Sequence, residues 1–166
     1  YDIYCDPEVQ RMFSEMNVLN PTELDARTEV LNETYVKKIQ IEARVIGDIS
    51  FNHIIPAAVR YQNVLLENVR GGRDVYGADF ERLFAPQIFL LSRISENITS
   101  LSDAINALVE SRKQANGIAD LRLRAKAYSG DVLDNMRAVR EYADSLEMLV
   151  DDGLWPLLKY RELLFF

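Results

Sequence analysis

The sequence predicts an all-α fold: an elongated up-down-up bundle of three long antiparallel helices, with a short N-terminal helix and an apolar C-terminal tail packed on it. Residues 20–69, 79–116 and 120–150 repeat apolar side chains every three or four positions, the period of a helix buried on one face. Helix-breaking residues cluster in the short stretches between these segments, and short connections favour antiparallel neighbours. Few segments read as strand.

The elements follow in order. Asp6-Pro7-Glu8 starts a first helix, with aspartate at the cap and proline where a missing N–H does no harm. Val9, Met12, Phe13 and Met16 continue at helical spacing, and residues 17–19 break it. Asn20-Pro21-Thr22-Glu23 is a stronger start, because Glu23 can reach back to the N–H of Asn20 in a capping box. The apolar stripe then passes through Leu24, Leu31, Tyr35, Ile39, Val45, Ile46, Ile49, Ile54, Ala58, Tyr61 and Leu65. A straight helix of that extent would be roughly 70–75 Å long. A compact domain of this size has a radius of gyration of about 15 Å, so Pro56 is the expected bend. Arg70-Gly71-Gly72-Arg73 is expected to end this helix, with Gly77 in the same connection.

Asp79 is expected to cap the next helix, and Pro86 to split a short piece at 80–84 from the main run. Gln87, Leu91, Ile94, Ile98, Leu101, Ile105, Leu108 and Arg112 then alternate steps of four and three, as in a coiled-coil seam. That seam suits the bundle's own core, and self-association is the other use for it. Asn116-Gly117 ends the helix. Leu121, Ala125, Tyr128, Val132, Met136, Val139, Tyr142, Leu146 and Leu149 mark the third, weakened at Gly130. Asp151-Asp152-Gly153 stops it, and the tail carries Trp155, Leu157, Leu158, Tyr160, Leu163, Leu164, Phe165 and Phe166. Such a tail must cover the bundle or meet another domain or subunit. The reading is one domain over 1–166, with a lead-in helix at 1–19, the bundle at 20–150 and a docking tail at 151–166.

Composition narrows the function. The 166 residues are 48% hydrophobic, enough to bury a core, and carry a net charge of −7. That charge argues against a nucleic-acid backbone or an anionic membrane as the main partner. No apolar run of about 18 residues exists to span a membrane. The start, Tyr-Asp-Ile-Tyr-Cys-Asp, lacks the basic and apolar regions of a signal peptide, and the absence of Met there suggests a processed chain or a piece of a longer one. Cys5 is the one cysteine and cannot form an internal disulfide, which points to a reducing compartment, the cytoplasm.

Little in the sequence reads as chemistry. His53 is the single histidine and borders the stripe of Ile46 and Ile49, as a packed or interface side chain does. Residue 50 is Ser, so His53 does not complete the Glu-x-x-His pair of a di-iron bundle. Cys5 has no fixed histidine partner. Gly71-Gly72 lacks the spacing and the Lys-Ser/Thr of a phosphate loop. Glu29/Glu33 and Asp151/Asp152 read as solvated carboxylates rather than acid–base pairs. The glycosylation-type triplets at Asn32 and Asn97 fall inside helices. No catalytic, cofactor-binding or metal-ligating residue is identified. The interaction candidates are Pro56, His53, Trp155, Tyr160, Arg161 and Phe165.

Several strings, in order, resemble a known family. Asn17-Val18-Leu19-Asn20-Pro21-Thr22-Glu23-Leu24-Asp25-Ala26-Arg27 is followed by Ile39-Gln40-Ile41-Glu42-Ala43-Arg44, then Ile55-Pro56-Ala57-Ala58 and Tyr61-Gln62-Asn63. The end carries Asp151-Asp152-Gly153-Leu154-Trp155-Pro156 and Lys159-Tyr160-Arg161-Glu162-Leu163-Leu164-Phe165. The set resembles the C-terminal region of type III glutamine synthetases, a long bacterial form of glutamate–ammonia ligase, and covers nearly the whole chain. Pro86 and Gly130 depart from the helix continuity expected of relatives.

The resemblance implies a parent enzyme that makes glutamine from glutamate, ammonia and ATP with divalent Mg or Mn. It implies hexameric rings stacked as a dodecamer, and an upstream catalytic domain that holds the active site. This chain would then be a non-catalytic fragment with a structural, assembly or regulatory role. The alternative is an independent helical-bundle adaptor that binds a partner through its tail or its seam.

Overall fold

A computed structural model describes residues 2–164, apart from the side chains of Asp2, Tyr160 and Arg161. Every regular element among the described residues is helical. The α-helices are α1 (Pro7–Glu15), α2 (Pro21–Ile49), α3 (Ile55–Tyr76), α4 (Phe80–Asn116), α5 (Leu121–Ala127), α6 (Leu133–Glu147) and α7 (Tyr160–Leu163). A π turn, Ser50–Ile54, joins α2 to α3, and a second, Tyr128–Val132, joins α5 to α6.

The helix starts follow local chemistry. Asp6 Oδ1 accepts the N–H of Glu8 at 2.8 Å. Asn20 Oδ1 accepts Glu23 N–H while Glu23 Oε2 accepts Asn20 N–H, both at 2.9 Å, which completes the expected capping box. Asp120 Oδ1 takes the N–H of Leu123 at 2.8 Å. The end of α1 is also specified: Asn17 has φ 55°, and the N–H of Val18 reaches back to Phe13 O at 3.1 Å. That is a Schellman stop, with asparagine tolerating the left-handed position.

Two expected breaks fall elsewhere, and the expected bend at Pro56 coincides with a change of helix type. Pro56 does not interrupt the helical backbone, since Ile54 and Ile55 both keep right-handed helical angles. The preceding π turn absorbs it: Ile55 N–H bonds Ser50 O, five residues back, so the turn widens where the proline ring would crowd a carbonyl. Pro86 likewise lies inside a continuous α4 rather than splitting it. Gly71-Gly72 does not end α3, which runs on to Tyr76. The break is at Gly77, with φ 51° and ψ −115°, a conformation that side chains with a Cβ resist. Asp79 then lies in the 3-10 turn Gly77–Asp79, its Oδ1 3.2 Å from Arg82 Nη2. The third expected helix is divided into α5 and α6 by the second π turn, which contains Gly130.

Backbone proximity divides the chain into two compact units. The first contains Tyr1–Arg44 and Glu110–Asp134. Its buried side chains include Leu24, Val36, Ala43, Ala115, Ala125, Tyr128 and Val132. Buried Thr28 satisfies its hydroxyl on Leu24 O at 2.8 Å. Gln40 Nε2 donates to Asn116 Oδ1 at 3.3 Å, so α2 and the end of α4 run side by side.

The second unit contains Val45–Val109 and Asn135–Phe166. Its core uses the four-three seam as expected: Ile94, Leu101, Ile105 and Leu108 are buried, with Ile54, Ala57, Ala58, Leu65, Val139 and Leu146. Ala143 is buried where the spacing had suggested Tyr142, which is exposed. Gln62 Nε2 donates to Ser95 Oγ at 2.7 Å, fixing α3 against α4.

The reversal between α3 and α4 is packed by aromatics. Phe84 stacks on Phe80 at 5.0 Å between ring centroids and lies 5.6 Å from Tyr76. Its ring presses onto Gly72, where an added Cβ would stand 2.1 Å from Cζ. Gly72 is therefore a contact glycine on a helix face, not a breaker. In one continuous helix, residues 72 and 84 would stand about 18 Å apart.

Candidate functional site

Three of the interaction candidates, His53, Pro56 and Trp155, are described in full and lie in the second unit. His53 lies in the first π turn and is exposed, as are Phe51 and Asn52, whereas Pro56 is half-buried in the first turn of α3. Asn52 Nδ2 donates to Asp48 Oδ1 at 2.6 Å, leaving His53 beside a polar pair. In the same turn Ser50 is 1% exposed, and its Oγ has no hydrogen-bond partner.

The tail is built around residues that spacing did not single out. Asp151 Oδ1 accepts Gly153 N–H at 2.8 Å, and Asp151 O accepts the N–H groups of Leu154 and Trp155, both at 3.0 Å. This tight turn holds Trp155 half-buried. Lys159 is the anchor: Nζ donates to Glu147 O at the end of α6 at 3.1 Å and pairs with the Asp152 carboxylate. Glu162 Oε2 accepts the N–H of Lys159 at 2.8 Å and opens α7.

The remainder of the tail is not packed down as expected. Leu157, Leu158, Leu163 and Leu164 are 40%, 62%, 55% and 60% exposed, and Met148, after the end of α6, is 84% exposed. Beyond Trp155 the attachment seen among the described residues is polar and runs through Lys159. Phe165 and the side chains of Tyr160 and Arg161 lie outside the described residues.

The first unit holds a polar layer that sequence reading missed. Tyr128 is 0% exposed, and its Oη donates to Asn116 Oδ1 at 2.8 Å, the same oxygen that receives Gln40. Burial pushes the Tyr128 phenol above its ordinary value, and the nearby guanidiniums of Arg112, Arg44 and Arg124 pull against it. Arg124 is fixed by backbone: Nε donates to Ile118 O at 2.8 Å and Nη2 to Ala119 O at 3.4 Å. The available signal was antiparallel register. Stepping one turn from Gln40 to Arg44, and back from Asn116 to Arg112, keeps the two positions opposite each other.

Among the described residues, no group of three or more His, Cys, Asp and Glu side chains stands ready to hold a metal ion. None of the described helices is long and apolar enough to cross a membrane.

Comparison with known proteins places the chain. The family model described as "Glutamine synthetase C-terminal domain" matches residues 2–73. A glutamine synthetase of Bacteroides fragilis (strain YCH46) is 39% identical over 163 residues, covering 98% of this chain and 22% of that protein. A type-3 glutamine synthetase of Dictyostelium discoideum is 32% identical over 158 residues, covering 93% and 21%. A glutamine synthetase of Butyrivibrio fibrisolvens is 25% identical over 154 residues, covering 93% and 22%. The chain thus spans about a fifth of the length of the curated relatives it matches. From the capping box at Asn20 to the Asp151 turn, the strings singled out in the sequence fall within an alignment to glutamine synthetases that covers nearly all of the chain, and residues 2–73 match the glutamine synthetase C-terminal domain family.

Proposed function

We propose that the chain is a non-catalytic helical domain of a type III glutamine synthetase, with a structural, assembly or regulatory role. The observation that carries this reading is the alignment of 98% of the chain with 22% of a glutamine synthetase. On this reading the active site lies elsewhere in the polypeptide. The whole enzyme joins ammonia to glutamate with ATP and Mg or Mn, in the cytoplasm, as stacked hexameric rings.

An up-down-up arrangement of three helices belongs to the same proposal, supported within each unit by a cross-helix bond, Gln40–Asn116 in one and Gln62–Ser95 in the other. His53, Pro56, Trp155, Tyr160, Arg161 and Phe165 are assigned to contacts with the rest of the enzyme. The exposed leucines of the tail are apolar surface of the kind that interfaces cover.

The test is a comparison of the whole enzyme with a version lacking this segment, by light scattering and by ATP-dependent glutamine formation. Loss of the full assembly is expected on removal. An assembly of unchanged size and activity would exclude the structural role. The isolated 166-residue chain should form no glutamine, and metal-dependent turnover by the pure chain would refute its non-catalytic assignment. An isolated chain that captures one unrelated partner in place of the enzyme would favour an adaptor.

A further inference from the structure

We infer that Arg44 and Arg112, beside the Gln40–Asn116–Tyr128 layer of the first unit, bind a multivalent phosphate-type oxyanion. Four observations lead there, independently of the family assignment.

Register comes first. Gln40 and Asn116 are hydrogen-bonded across α2 and α4. Arg44 is one turn on from Gln40 along α2, and Arg112 is one turn back from Asn116 along α4. Residues four apart share a helix face, and four residues advance about 6 Å. In antiparallel helices these two steps lead to the same next layer, so two guanidiniums are placed opposite each other. Both also lie near enough to Tyr128 to act on its phenol.

The second observation is that neither guanidinium is seen in an ion pair with a carboxylate among the described residues. Ion pairs among the described residues include Arg11 with Glu15, Lys37 with Glu33, Arg82 with Asp79, Lys113 with Glu110, Arg140 with Asp144 and Lys159 with Asp152. Arg44 and Arg112 take part in none of these. In a chain with net charge −7, two facing arginines left without carboxylates run against the overall balance. Like charges in one layer repel, and an anion between them turns that repulsion into attraction.

Third, a further cation is preorganised nearby. The backbone carbonyls of Ile118 and Ala119 hold the Arg124 guanidinium, and carbonyls satisfy its N–H groups without cancelling its charge. Fourth, the layer beneath is polar and fixed. Tyr128 and Gln40 both donate to the same Asn116 oxygen, so the floor keeps its shape with no ligand bound.

The ligand class follows from charge and geometry. Guanidinium forks match oxyanions through paired N–H donors. Two or three positive charges without a counter-charge suit a dianion or a more highly charged group, which selects phosphate and pyrophosphate over a monocarboxylate. Arg44 is exposed and Arg112 half-buried, so the site opens to solvent on the Arg44 side.

Titration calorimetry of the 166-residue chain with sodium pyrophosphate and with inorganic phosphate tests this, with malonate as a dicarboxylate control. Saturable pyrophosphate binding below about 1 mM is expected, weakening as salt rises. R44Q and R112Q should each weaken it by roughly tenfold or more, because each removes a charge-assisted contact. R82Q, whose parent arginine is paired with Asp79 elsewhere on α4, should leave it unchanged. Absence of pyrophosphate binding, equal binding in R44Q and R112Q, or equal loss in R82Q would overturn the site. Malonate bound as tightly as pyrophosphate would overturn the phosphate assignment. Should the arginine variants fail to fold, the unmodified chain still decides: pyrophosphate must shift the Nε–H resonances of Arg44 and Arg112, and shifts confined to other residues refute the proposal.

Discussion

Replacing Gly72 by alanine separates packing from helix propensity at one position. In an open stretch of helix the change stabilises by about 1 kcal/mol, because glycine has more backbone freedom to lose. At Gly72 the new methyl would stand 2.1, 2.4 and 2.5 Å from Phe84 Cζ, Cε1 and Cε2. The ring has little room to retreat: Phe84 is 8% exposed and is held between Phe80 and Tyr76. Overpacking of this kind costs about 1–3 kcal/mol, leaving G72A less stable than wild type by about 0–2 kcal/mol once propensity is credited.

Gly71 provides the internal control, since nothing lies within 4 Å of a Cβ there. G71A should gain about 1 kcal/mol. Urea unfolding followed by circular dichroism should therefore separate the two variants by about 1–3 kcal/mol, or roughly 0.5–1.5 M in midpoint for an m-value near 2 kcal/mol/M. F84L in the G72A background should recover part of the loss, showing that the two sites are coupled. Equal midpoints for G71A and G72A would refute the reasoning, and with it the role of Gly72 as a contact for Phe84.

The remaining predictions concern local features. G77A forces a Cβ into φ 51°, ψ −115° and should lower stability by about 1–3 kcal/mol, whereas a D-alanine introduced there by ligation should not. N20A removes the oxygen that takes Glu23 N–H and should cost about 1 kcal/mol, with faster amide exchange confined to the first turn of α2. Tyr128 adds a pH dependence. Its pKa is higher folded than unfolded, because burial penalises the phenolate, so its stabilising contribution is complete below the unfolded value of 10.0 and is lost as pH rises above it. Alkaline titration should show that loss in the wild type and not in Y128F. At neutral pH, Y128F should be about 0.5–1.5 kcal/mol less stable through the lost Asn116 bond.

Much of the fold was legible where local chemistry decides it. Asp6, Asn20 and Asp120 satisfy orphan N–H groups within three residues, so those starts are written in short strings. The seam at Ile94, Leu101, Ile105 and Leu108 was legible because a four-three repeat leaves one face to bury. The misreading at Gly72 and the helix change at Pro56 have causes beyond local propensity. Both are poor helix residues in isolation, and their roles depend on a group distant in sequence or on a change of helix type. Phe84 arrives at Gly72 from the next helix, and a π turn takes up Pro56.

By itself the sequence determined the all-helical class, the helix starts and the likeness to glutamine synthetases, because capping, periodicity and ordered strings are properties of neighbours along the chain. Tertiary structure decided where the chain reverses, since Gly77 and Gly72 differ in what surrounds them and not in what they are. It also decided that Lys159 anchors the tail while the leucines after Trp155 stay exposed. Only packing could bring Gln40, Asn116 and Tyr128 together with Arg44 and Arg112, because register between α2 and α4 is fixed by side chains some seventy residues apart.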